Sequence, residues 1–107
     1  MMQKTRRRFV ETASGVVHIA ENGSGAPVLL LHQTPRSWME FRDVLPILGA
    51  QFHAIAMDTR GFGDSDPLPP EWTTIEGWAA AALELMDALE IPRFSVAGHH
   101  TGAIIAL

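Results

Sequence analysis

The chain has 107 residues, 47% apolar and 19% charged, with a net charge of −4 at pH 7 and no cysteine. This is the make-up of a globular chain rather than a disordered one. The negative balance argues against nucleic acid as the main partner, and the lack of cysteine removes disulfides, thiolate metal sites and cysteine nucleophiles together.

The basic start has no apolar stretch behind it, so no signal peptide is read there. The longest apolar run, residues 79–89, is interrupted by Glu84 and Asp87 and is too short to span a bilayer. A cytoplasmic protein with no membrane partner is expected.

Arg6, Arg7 and Arg8 form a short basic run, read as a solvated strand end. Phe9-Val10 and residues 16–20 are β-type runs separated by Ser14 and Gly15, which predicts an antiparallel hairpin. Residues 22–25, Asn-Gly-Ser-Gly, are a turn. Residues 27–31, Pro-Val-Leu-Leu-Leu, read as a strand buried on both faces. After a loop over 32–36, Ser37 and Glu40 have capping-box spacing, predicting a helix from there to about Leu48, with Pro46 near its end. Residues 52–58 form the next strand, followed by a loop over 59–71. Thr73 and Glu76 repeat the capping-box spacing. Ile75, Trp78, Ala79, Ala82, Leu85, Met86 and Leu89 then recur on one helical face until Ile91-Pro92 ends the helix. Residues 94–98 are a further strand, and a helix begins at Thr101. This alternation of strands and helices gives an α/β class with a largely parallel sheet, without internal repeats or low-complexity segments.

Three loops leave the carboxyl ends of buried strands, the edge of an open α/β sheet where ligands bind. They are His32-Gln33-Thr34-Pro35, residues 58–66 from Asp58 through Arg60, Gly61 and Gly63 to Asp66, and Gly98-His99-His100-Thr101-Gly102. In order and spacing they resemble the α/β-hydrolase superfamily, with epoxide-hydrolase-like and dehalogenase-like loops, over almost the whole chain. The first is similar to the family's His-Gly-x-Pro motif with Gln33 in place of glycine. The second matches Asp-x-Arg-Gly-x-Gly-x-Ser at Asp58, Arg60, Gly61, Gly63 and Ser65. The third resembles the nucleophile elbow, Gly-x-nucleophile-x-Gly, at Gly98, His100 and Gly102.

The resemblance implies an antiparallel hairpin start, then a mostly parallel sheet with flanking helices. Residues 1–107 would be the N-terminal portion of one domain, without the later strands, the cap, the acidic residue and the histidine base. A chain ending there is expected to leave strand 94–98 as an unpaired apolar edge, and so to be poorly soluble or marginally folded alone.

An elbow turns a strand sharply into a helix. Glycines at 98 and 102 remove Cβ atoms from the close approach, while the central residue takes positive φ, where histidine is among the enriched non-glycine residues. Family hydrolases carry serine, aspartate or cysteine there, whereas this chain carries His100. Two readings stand side by side. In one the imidazole, whose ordinary pKa of about 6.5 leaves it mostly neutral at pH 7, is nucleophile or base. In the other the nucleophile has been lost and only the fold persists.

By resemblance, the backbone N–H groups of Thr101 and Thr34 make the oxyanion hole. Pro35 fixes the turn, and its preceding bond is a candidate for cis. His32, Gln33, Trp38 and His99 are candidates to meet substrate, Trp38 at the pocket mouth. Arg60 with Asp58, Asp64 and Asp66 is read as a charge network bracing the second loop. His18 and His53 are read as packed or surface residues, and Trp72 and Trp78 as packing residues.

No group of histidines and carboxylates has metal-ligand spacing, so no metal is expected. The expected function is a cofactor-free hydrolase of a small organic substrate carrying an ester, epoxide or similar bond, of open oligomeric state. The alternatives are a non-catalytic α/β-hydrolase-like protein or truncated remnant, and a cofactor-free lyase or oxygenase of the same fold.

Overall fold

The computed structural model describes residues 4–107. Two strands, β1 (Arg6–Thr12) and β2 (Gly15–Asn22), form the expected antiparallel hairpin, with Thr12 opposite Gly15 at its tip. Next come β3 (Ala26–Leu31), a 3-10 turn at Trp38–Phe41, a single helical turn α1 (Leu45–Leu48) and β4 (Phe52–Met57). A second 3-10 turn (Pro70–Trp72), the long helix α2 (Ile75–Ala88), β5 (Ser95–Gly98) and α3 (Thr101–Ala106) complete the chain. The sheet order is β1-β2-β4-β3-β5, with β3 parallel to both β4 and β5 and β2 antiparallel to β4. The α/β class, the hairpin start and the mostly parallel remainder are therefore as expected. None of the helices among the described residues is long and apolar enough to cross a membrane.

The continuous helix expected from Ser37 to Leu48 is instead a 3-10 turn and a separate α-turn. Pro46 has no N–H to give the carbonyl four residues back, and its ring would strike that carbonyl. The α-turn therefore starts afresh at Leu45, with the proline in its first turn. Ser37 does cap the 3-10 turn, accepting from the Met39 N–H, but Glu40 does not return to it. The α2 cap is Thr74, whose Oγ1 accepts from the Gly77 N–H at 3.0 Å, and not Thr73, whose hydroxyl donates to the Pro69 carbonyl. At the far end Glu90 takes φ of 60°, the Ile91 N–H reaches the Met86 carbonyl and the Glu90 N–H reaches that of Asp87. Together these form a Schellman closure on a non-glycine residue.

Alternation along the central strands divides the core unequally. Leu29, Leu31, Ile55 and Met57 face α2 and α3 through Ala82, Leu85, Met86 and Ile105. Leu30 and the small Ala20, Ala54 and Ala56 face the other way. The alanines leave room for the Trp38 indole to lie among them with Leu45, only 8% exposed. Trp38 is thus a core residue and not the rim of a pocket. Trp78 packs as expected, its Nε1–H donating to the Arg60 carbonyl, whereas Trp72 is 59% exposed on the second 3-10 turn.

The basic run is not simply solvated. Arg7 lies 5.1 Å over the Trp38 ring and pairs with Asp64, while Arg8 pairs with Glu21. Glu21 is buried, which pushes its carboxyl up, but hydrogen bonds from Arg8 and His53 outweigh that and hold it below the ordinary carboxylate value. A depressed value in the folded state means stability that is full above the unfolded value, near 4.5, and drains as pH falls through the folded one. Urea titrations between pH 6 and pH 3 are expected to show less acid destabilisation in Glu21→Gln than in the parent; equal slopes would exclude this source.

Among the described residues β5 pairs only with β3, and all four residues of β5 are exposed, Val96 at 39%. An unpaired, apolar edge invites strand addition. The 107-residue chain is expected to self-associate as its concentration rises, and Val96→Lys to suppress this in sedimentation velocity.

Candidate active site

The register of the parallel strands places the loops. Leu31 is opposite both Met57 and Gly98, so His32, Asp58 and His99 leave the sheet in one row. The His99 N–H continues the ladder to the Leu31 carbonyl at 3.0 Å.

At the end of this row β5 turns into α3 through His100, with φ 58° and ψ −116°. A non-glycine residue in that region is strained. The strain is held by the two flanking glycines: a Cβ on Gly98 would fall on the Gly102 main chain, and one on Gly102 on the carbonyls of Leu31 and His32. The imidazole is exposed and caps nothing, and its ring lies edge-on to that of His99 with centroids 6.3 Å apart.

The first loop comes alongside. Thr34 Oγ1 and Thr101 Oγ1 are 3.1 Å apart, joining segments 67 residues distant in sequence. The Thr34–Pro35 peptide is cis. Among the described residues, neither the Thr34 nor the Thr101 amide donates to another protein group. Two main-chain donors thus sit next to the strained turn.

His32, a candidate for substrate contact, is fully buried. Its Nδ1 donates to the Gln33 carbonyl at 2.8 Å and its Nε2 accepts from the Thr59 N–H at 3.0 Å, so both ring nitrogens are used in tying the first loop to the second. Gln33 is half-buried, and its N–H donates to Glu40 at 3.2 Å. The other oxygen of Glu40 meets His99 Nδ1 at 2.7 Å. Glu40 was legible only as a helix cap; its partners lie 7 and 59 residues away, and no local pattern signals them.

Asp58 is the centre of the second loop. Its carboxylate accepts from His18 Nδ1 at 2.9 Å, from the Trp38 N–H at 2.8 Å and from the Asp64 N–H at 3.0 Å. Its carbonyl accepts from the Ser65 hydroxyl. Gly63, at φ 54°, passes so close that a Cβ there would overlap the carboxylate. Gly61, at φ 92°, likewise takes a conformation that side chains rarely adopt.

Arg60 does not join Asp58 or Asp64. Buried within the loop, it donates to the carbonyls of Asp66, Pro67 and Ser14 and to the Ser14 hydroxyl, fastening the loop to the hairpin tip. Asp66 instead accepts from the Val16 N–H.

One group of metal-ligating type, unseen in the sequence spacing, does meet in space: His18, Asp58 and Asp64 have atoms within 4.8 Å of one another. Arg7 already supplies its positive charge, donating from Nε to His18 Nε2 and pairing through Nη2 with Asp64. A cation would have to displace that guanidinium, so the donor set fits a structural brace and not a metal centre. His53 is half-buried and pairs with Glu21 at 2.8 Å.

A family model described as "Alpha/beta hydrolase family" matches residues 17–107. A soluble epoxide hydrolase of Corynebacterium sp. (strain C12) is 40% identical over 90 residues, covering 84% of this chain and 31% of that protein. An epoxide hydrolase 2 of Siraitia grosvenorii is 36% identical over 107 residues, 98% of this chain and 34% of its own length. Among solved structures, an epoxide hydrolase from an endophytic Streptomyces superposes with a TM-score of 0.88 at 36% identity, over 95% of this chain and 31% of that one. The chain spans about a third of the length of these relatives.

Asp58→Ala would strand the donors of the buried His18 and Trp38, each costing roughly 1–3 kcal/mol when left unpaired, and would release the Asp64 N–H from the loop. An overall loss of about 3 kcal/mol or more is expected in urea denaturation; a loss below about 1 kcal/mol would show that the second loop is not hung on this carboxylate.

Proposed function

Since the chain belongs to the alpha/beta hydrolase family, we propose that its carboxyl-end loops form the nucleophile and oxyanion side of a hydrolytic site. The substrate is a small organic molecule with an ester, epoxide or similar bond, water is the co-substrate, and no cofactor takes part. Residues 1–107 are then the N-terminal portion of one hydrolase domain.

The observation that carries this reading is the contact between Thr34 and Thr101 at 3.1 Å beside the strained His100. A reacting carbon above His100 would place its developing negative oxygen at the Thr34 and Thr101 amides. Fixed donors of that kind contribute about 3 kcal/mol each, because they need no reorganisation as charge develops. The imidazole of His100 supplies the electron pair. His32 and Asp58 take no part in the chemistry. They hold the loops at the spacing it needs.

The test is hydrolysis of an activated ester and of an epoxide by the polypeptide as its gene encodes it, with and without His100→Ala. The expected loss in kcat/KM is about 100-fold or more on whichever substrate turns over. Equal rates for the two proteins would remove His100 from the chemistry.

A further inference from the structure

The residue at the turn is an imidazole, and that restricts which bonds the site can hydrolyse. A nitrogen nucleophile that opens an epoxide or displaces a halide is left with a carbon–nitrogen single bond to an alkyl group, which water does not cleave. A nitrogen that takes an acyl group is left with an acyl-imidazole, whose carbonyl water attacks readily. Resting on the reading of His100 and the two threonine amides given above, we propose that the substrates are acyl compounds, esters above all. We further propose that His99, positioned by Glu40, is the base that discharges the acyl group from His100.

The geometry for such a base is present. Glu40 Oε2 accepts a hydrogen bond from His99 Nδ1 at 2.7 Å, which leaves Nε2 as the ring nitrogen free to take a proton. The carboxylate is itself anchored, because its other oxygen holds the Gln33 N–H at 3.2 Å and its side chain is only 13% exposed. The His99 backbone is fixed between the Leu31 carbonyl and the Gly102 N–H, at 3.0 Å each. Its ring, 59% exposed, is open to water, and it stands 6.3 Å from the ring of His100. A tie needed only to lock the first loop to the turn would not require an imidazole with a free nitrogen beside the reacting group.

The chemistry balances in two halves. In the first, the lone pair of His100 forms a bond to the acyl carbon, and the leaving oxygen departs with the ring proton of His100. In the second, His99 Nε2 takes a proton from water and that water's oxygen bonds to the acyl carbon. The carbon–nitrogen bond then breaks, and the proton passes to the released His100 ring. One water is consumed for each ester cleaved, giving an acid and an alcohol, and nothing is oxidised or reduced. Glu40 acts only through His99: it sets which nitrogen is free and steadies the positive charge formed when that nitrogen is protonated.

The experiment is pre-steady-state hydrolysis of 4-nitrophenyl acetate by the polypeptide as its gene encodes it, with intact-mass and peptide mapping of quenched samples. The parent is expected to turn over without a lasting adduct. His99→Ala, with His99→Gln as a second replacement should the first fail to fold, is expected to release about one nitrophenolate per chain in a burst. It should then run at least about 100-fold slower, with an acetyl group on His100. Glu40→Gln is expected to keep the burst and slow the second phase by about tenfold.

Styrene oxide is expected to alkylate His100 once without turnover. Repeated turnover of the epoxide would overturn the restriction to acyl substrates. A parent-like His99→Ala with an inactive His100→Ala would overturn the role of His99 alone, whereas equal ester hydrolysis by parent and His100→Ala, or no ester hydrolysis by the parent, would remove the site reading beneath it.

Discussion

Parallel strands that end level bring together side chains that are far apart along the chain. Leu31 lies opposite Met57 on one side and Gly98 on the other, and the residue after each opens a loop. Had β5 slipped by two residues, His100 would ride above or below the Thr34 loop by more than 6 Å, since each strand residue advances about 3.3 Å. What holds β5 to this position is contact as well as hydrogen bonding. Gly102 runs against the Leu31 and His32 carbonyls with no space for a side chain, so α3 can sit down on the sheet at one height only.

The second loop serves this arrangement from beneath. Asp58 collects three donors from three segments, and His32 spans from the first loop to Thr59. Buried polar groups of this kind are stable only when every member is paired. Paired as they are, they fix the height of both loops relative to the sheet. Arg60 extends the bracing to the hairpin tip, so the two antiparallel strands, remote from the turn, still contribute to its support.

Much of this was legible in the sequence, and for identifiable reasons. The apolar run before His32, the periodic face from Ile75 to Leu89 and the paired glycines at 98 and 102 are local signals, and local physics decides them. The partners of Asp58, Arg60 and Glu40 were not legible. His18 is 40 residues from Asp58, Ser14 is 46 from Arg60 and His99 is 59 from Glu40. Such pairs depend on sheet register and loop path, which no periodicity records. Charge alone pairs Arg60 with the nearby carboxylates, but main-chain carbonyls take its donors. Trp38 lies in the core because a row of alanines on neighbouring strands makes room for it. Glu40 has capping-box spacing from Ser37, but Pro46 divides the expected helix, and the carboxylate reaches Gln33 and His99 instead.

The strained conformation at position 100 has one more consequence. Glycine contacts and sheet geometry impose it, and the imidazole makes no capping bond that would help to hold it. The turn therefore does not depend on bonds made by the ring itself. Another side chain that tolerates positive φ can stand at position 100 while the flanking glycines and the sheet contacts stay as they are. Under the proposed function, a single codon can thus redirect reactivity without any need to rebuild the architecture around it.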